Sequence, residues 1–229
     1  MRRALAVLAL AVVAGWPGLA SAGNFEVRIG GFFPSLDSNL FRDDAALYLK
    51  NGHTQQNSDW NCIFGGISYN AKVARNVEVG FNLDGYGRSL DTSYRDYLAD
   101  DGSEIRQRLQ LDVVPLGFSV RIVPTSRRAR FAPFIEAGAD LIFYNYEEAG
   151  DFIDFNDPTQ PILADSFKSD GAAAGFHLGA GLRVAVSDDF SLVGAYRYQY
   201  AKHDMGRDFS GNQIDLGGSA VTFGVNLRF

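Results

Sequence analysis

The 229-residue sequence is poor in the residues on which several protein classes depend. Its one cysteine, Cys62, excludes an internal disulfide framework. Its three histidines, His53, His177 and His203, leave little for metal or acyl-transfer chemistry, and none has the serine and orienting acid that a nucleophilic site needs. Lys and Arg number 21 against 27 Asp and Glu, a formal net charge of −6, which argues against a nucleic-acid partner. After the first 22 residues there is no apolar run of the roughly 18 residues that a transmembrane helix requires.

The sequence opens with Arg2 and Arg3, an apolar run from Ala4 to Ala14, and a small-x-small ending at Ala20-Ser21-Ala22. This pattern predicts a cleaved secretory signal peptide over residues 1–22. Its removal leaves residues 23–229 as one domain; with Arg2 and Arg3 gone, the formal charge falls from −6 to −8.

The exported part alternates with a period of two. In residues 217–229, Val221, Phe223, Val225, Leu227 and Phe229 share one parity, and Thr222, Gly224, Asn226 and Arg228 the other. Side chains alternate across a strand, so this segment has one greasy face and one polar or small face. The same pattern predicts eight strands, at about 25–33, 60–70, 77–86, 105–122, 131–146, 171–186, 190–202 and 217–229. A short helix is expected within residues 38–49, with Asn39 as its cap. Within 105–122 the alternation slips by one residue at Val113-Val114-Pro115, which predicts a β-bulge. This phase puts Leu109, Leu111 and Val113 outside and Arg106, Arg108, Gln110 and Asp112 inside.

The connections alternate long, short, long, short, long, short, long. An even strand number, half-greasy strands, glycines within apolar segments and alternating loops predict an all-β, eight-stranded antiparallel up-and-down transmembrane β-barrel. So few strands leave an interior that side chains fill. The inward acids are Glu26, Glu78, Asp84, Asp112, Glu136 and Asp140. The inward bases are Arg28, Arg106, Arg108, Arg183, Arg197 and Arg228, with Arg121 added by the bulge, and His177 faces the same lumen. Near balance of sign is what a solvent-poor interior needs. A structural salt-bridge core and a narrow gated polar pathway both fit.

The acidic stretch Asp151-Phe152-Ile153-Asp154-Phe155-Asn156-Asp157 spaces its carboxylates by three, unlike an EF-hand loop, so no metal is expected. Its Phe152, Ile153 and Phe155 suit packing over the barrel mouth or contact with a partner. The basic turn Arg127-Arg128-Ala129-Arg130 reads as solvated.

With strands 131–139, 176–183 and 223–229 in view, the chain resembles the small eight-stranded outer-membrane β-barrels, the OmpA-transmembrane, OmpX and OmpW sort. The resemblance implies a cell outer-membrane location and a structural, adhesive or small-solute role. It also implies lipid and lipopolysaccharide around the wall, an assembly machinery that reads the terminal strand (Phe223, Val225, Leu227, Phe229), and a monomer. The expected function is non-enzymatic and porin-like or structural, without cofactor. Two alternatives are a lipid A-modifying barrel enzyme and a soluble lipocalin-like lipid binder, the latter opposed by the inward Arg and Glu residues.

Overall fold

A computed structural model describes residues 23–35, 47–48, 57–125, 129–155, 157–209 and 212–229. The strands are β1 (Gly23–Pro34), β2 (Leu47–Tyr48), β3 (Cys62–Ala74), β4 (Val77–Leu98), β5 (Glu104–Ile122), β6 (Phe131–Ile153), β7 (Ile162–Ala185), β8 (Phe190–Asp204), β9 (Gln213–Asp215) and β10 (Gly218–Arg228). Eight of them form a closed antiparallel ring, β1-β3-β4-β5-β6-β7-β8-β10, sealed by pairing of β10 with β1 from Asn24–Arg228 to Pro34–Gly218. The short β2 and β9 add to β4 and β8 at the end with the long loops. Closure leaves no sheet edge in the ring, the condition for crossing lipid with strands.

Outward-facing Ile29, Ile63, Phe118, Ile135, Leu178, Leu192 and Phe223 are all exposed and form a continuous apolar belt. The termini and short turns mark the periplasmic end of the belt. At the other end β4 to β7 run on, and β6 alone has 23 residues. At about 2.5 Å of axial rise per tilted residue this is about 55 Å, roughly twice the ~25 Å apolar band. The β4–β7 wall therefore stands well outside the membrane.

Three sequence expectations need correcting here. Residues 88–98, 147–153 and 162–170, expected as loop, are strand. Leu47 and Tyr48, inside the segment expected to be helical, pair with Tyr94 and Ser93 instead; residues 38–46 and 49, with the Asn39 cap, lie outside the described residues. The third concerns the bulge. β5 keeps one register with β6 from Gln107–Gly150 to Ile122–Ile135, through Val113–Tyr144 and Pro115–Ile142. Pro115 has no amide hydrogen, and the ladder to β4 merely skips between the pairs Leu83–Leu116 and Tyr86–Val113. Burial alternates strictly along the strand, with every odd-numbered residue from Ile105 to Arg121 inside.

The apparent slip is thus a change of surroundings at constant geometry. Below Val113 the outer face meets lipid and is apolar. Above it the outer face meets water, while the inner face encloses a dry core. Leu109, Leu111 and Val113 accordingly point inward and are buried, opposite to expectation. They pack with Phe32, Phe64, Tyr86, Ile142, Tyr144 and Tyr146.

Loop residues complete this upper plug. Trp60, at the end of the short 3-10 helix Asn57–Trp60, and Phe209, from Arg207–Phe209, insert from above. Phe32 and Tyr86 stack with centroids 3.9 Å apart. The Tyr86 hydroxyl and Gln199 Nε2 both donate to the carbonyl of Leu216, each at 3.0 Å, latching the last loop to the wall. A smaller apolar cluster, Val123, Ala132, Phe134 and Val193, lines part of the lumen toward the periplasmic end.

Candidate functional site in the barrel interior

Between the two apolar clusters lies a layer of buried charge. On the inner face Arg28, Asp84, Arg121, Glu136, His177 and Arg197 come from six different strands, and parity alone makes them converge. The Arg28 guanidinium donates from Nη2 to both Asp84 oxygens at 2.7 and 2.9 Å and from Nε at 3.2 Å, and it reaches Asn82 at 3.3 Å. Arg121 donates to Glu136 Oε2 from Nη2 (2.7 Å) and Nε (3.0 Å) and to Glu26 from Nη1 (3.2 Å). Its guanidinium also lies 4.1 Å over the Phe134 ring. Arg197 bridges Asp84 (2.6 Å) and Asp140 (2.9 Å).

His177 Nδ1 lies 2.8 and 2.9 Å from the two Asp140 oxygens, with Nε2 3.5 Å from Glu136. The 2.8 Å approach of Arg197 to the same Nδ1 follows from both groups crowding one carboxylate; donation to Asp140 is the arrangement that satisfies both. Nearer the periplasm, Arg183 holds Glu78 with bonds of 3.2 and 3.0 Å.

With the Arg183–Glu78 pair neutral by itself, four carboxylates (Glu26, Asp84, Glu136, Asp140) face three guanidiniums (Arg28, Arg121, Arg197). A proton on His177 balances that count. Space for these long side chains comes from inward glycines on neighbouring strands. A Cβ at Gly138 would strike the His177 ring, and one at Gly66 or Gly117 would strike Asp84 or Asp140. A cavity within the layer, beside Glu26, Arg28, Arg121 and Glu136, has a volume of about 20 Å³. That is room for about one water, at roughly 10–15 Å³ each.

Nine of the thirteen residues expected in the lumen network are therefore brought together: Glu26, Arg28, Glu78, Asp84, Glu136, Asp140, His177, Arg183 and Arg197. Arg121 joins them through the unbroken parity of β5, without a bulge. Arg106, Arg108 and Asp112 do not join. They sit on the outer face of the extracellular wall, where Arg106 pairs with Glu104 and Arg108 with Asp91, at side-chain exposures of 70% and 65% for the two arginines. The hydrogen bond to Asp91 raises the Arg108 pKa further above its ordinary value. Asp112 accepts from Gln110 at 2.7 Å on the same face. Arg228 has the inward parity but is half-buried at the periplasmic rim, donating to the Asp188 carbonyl at 3.4 Å.

Asn82 and Asn226, on the inward parity of their strands, belong to a polar girdle whose other members, Asn24, Ser68, Asn70 and Ser119, the sequence reading passed over; all six are buried on the inner face. Asn24 Oδ1 accepts from Asn226 at 2.7 Å and from Asn70 at 3.2 Å, and Asn82 donates to Ser119 at 3.1 Å. Their parity was legible; their neutrality drew no notice.

Higher up, Tyr144 hydroxyl stands between Ser169 Oγ (3.2 Å) and His203 Nδ1 (3.1 Å). His203 is thus half-buried beside a tyrosine. The tyrosine separates the serine from the imidazole, so this trio does not set a serine hydroxyl against an imidazole as acyl transfer by a Ser–His pair does. His53, Arg127, Arg128 and Asn156 lie outside the described residues. Of the aromatics in the acidic stretch, Phe152 packs edge-on to Phe167, and Phe155 meets Tyr94 and Tyr97 at the tip of the wall.

Solved structures share this architecture. OprG from Pseudomonas aeruginosa is 13% identical with a TM-score of 0.55, covering 91% of this chain and 96% of its own. A major outer membrane protein from Thermus thermophilus is 13% identical with a TM-score of 0.52, covering 91% of this chain and all of its own. No curated protein matches the sequence. The model of the family described as outer membrane protein beta-barrel domain matches residues 4–229, and with its eight-stranded lipid-belted ring the chain belongs to that family of the bacterial outer membrane.

Proposed function

We propose that this protein is a non-enzymatic, closed outer-membrane barrel that anchors its extracellular β-wall for surface interaction and envelope integrity, and that it does not conduct solutes. One observation carries the reading: the lumen is filled in series by an aromatic plug and a paired charge layer whose cavity is about 20 Å³. A hydrated pathway needs continuous polar space, and the aromatic plug supplies none. Within this reading the charge layer is a structural core rather than a gate.

Around the belt the partners are outer-membrane lipid and lipopolysaccharide, and the barrel works as a monomer. Assembly uses the terminal strand, whose Phe223, Val225, Leu227 and Phe229 project outward into lipid. Planar-bilayer recording tests the proposal. Purified protein inserted at low density should leave the membrane at its background current, whereas discrete, reproducible steps abolished by denaturation would replace this reading with a porin-like one. Incubation with lipid A, with no acyl group lost or gained, is the corresponding check on the non-enzymatic assignment.

A further inference from the structure

We propose that the periplasmic mouth of the barrel is an oxyanion site that takes a phosphate group. The ends of β1, β5, β6, β7 and β10 and the β3–β4 turn enclose a pocket of about 40 Å³ there. Its charged lining is Lys72, Arg75, Arg183 and Arg228 against the single carboxylate of Glu78. Glu78 is already held by both Nη atoms of Arg183, so the remaining lining is net positive. This is a local reversal in a chain whose formal charge is −6.

Two donors are also in place. Arg183 is 5% exposed, and among the described residues its Nε has no hydrogen-bond partner; the same holds for the buried Oγ1 of Thr125. Both residues line the pocket. A buried donor without a partner costs free energy that an acceptor in the pocket would recover. An anion with several oxygens satisfies a guanidinium Nε, a hydroxyl and flanking cations together, through charge-assisted bonds. The size is selective: 40 Å³ corresponds to about three waters at roughly 10–15 Å³ each, the scale of one phosphate group rather than a sugar or a peptide. The phosphate is either free in the periplasm or the headgroup of an anionic phospholipid of the facing leaflet.

The test uses the whole barrel in zwitterionic detergent, titrated with inorganic phosphate while the backbone amides of Asn24, Asn76 and Thr125 are followed by NMR. A parallel arm compares nanodiscs of phosphatidylcholine with and without phosphatidylglycerol, and acetate at equal ionic strength is the control anion. Lys72 and Arg75 are exposed, so the variant K72Q/R75Q keeps the fold, checked by its dispersed spectrum. Saturable shifts with phosphate, weakened about tenfold or more in the double variant, are expected. Shifts reproduced by phosphatidylglycerol assign the headgroup, and shifts with inorganic phosphate alone assign the free anion. Absence of saturable shifts in both arms, equal shifts with acetate, or unchanged affinity in the double variant overturns the proposal.

Discussion

Replacing Arg121 by Met tests whether the charge layer is a dry structural core. Arg121 is 1% exposed and makes three charge-assisted bonds, two to Glu136 and one to Glu26. Methionine keeps most of the volume over Phe134, so little of the loss comes from packing. What changes is the charge count: four carboxylates would then face two guanidiniums. Breaking a buried ion pair by removing one partner costs about 3–5 kcal/mol, because the other charge is left uncompensated. With a denaturant dependence of about 1–3 kcal/mol per molar urea, the unfolding midpoint should fall by about 1–5 M. Trp60 is buried in the plug and, in protein prepared without residues 1–22, is the one tryptophan, so its fluorescence in lipid vesicles reads the transition. The companion variant R121M/E136Q removes one charge of each sign and should recover more than half of the loss. A loss below about 1 kcal/mol in R121M would mean that the layer is hydrated like a surface pair, and the sealed-core argument would fall with it.

The outward assignment of the upper β5 arginines predicts that R108A changes stability by at most about 1 kcal/mol in the same assay, since its pair with Asp91 is exposed. One position away from Asp112, L111D should cost several kcal/mol by placing an unpaired carboxylate in the apolar plug, about 3 or more, and a harmless L111D would restore the bulge. Replacing the His177 imidazole by a neutral hydrogen-bonding group, as H177Q, should cost about 1–3 kcal/mol, and D140N in the same chain should offset it; additivity of the two losses would separate His177 from the charge balance. Deleting Phe229, whose ring stacks on Tyr69 at 6.2 Å, should slow insertion into vesicles by assembly machinery several-fold, about 3-fold or more, with little change in the folded barrel's melting.

The ring was legible because lipid imposes one rule on all eight strands: each must show an apolar face over the thickness of the belt. Ile135, Leu178 and Phe223 obey it, and the inward partners Glu136, His177 and Thr222 follow by parity. Above the belt the rule reverses, and here parity alone misleads. In Arg106-Gln107-Arg108-Leu109-Gln110-Leu111-Asp112-Val113 the alternation is as clean as any in the chain, yet a periodic pattern says only that two faces differ. Which face is inside depends on what lies outside, and the solvent changes from lipid to water along this strand without any change in backbone geometry. Taking the outside to be lipid throughout forces a bulge at Val113–Pro115. Taking it to be water above Asp112 keeps one register, buries Leu109 and Leu111, and frees Arg106 and Arg108 to pair in solvent. The same shift of solvent explains why the extensions of β4, β6 and β7 read as loops. Their outward residues, such as Asp91, Glu147 and Lys168, lack the greasy signature by which the strands were recognised, while the inward Phe167 carried the strand signal unnoticed. A phase flip in hydrophobic alternation within a barrel strand is therefore a mark of the membrane boundary, and here it places the outer boundary between the outward residues Val114 and Asp112.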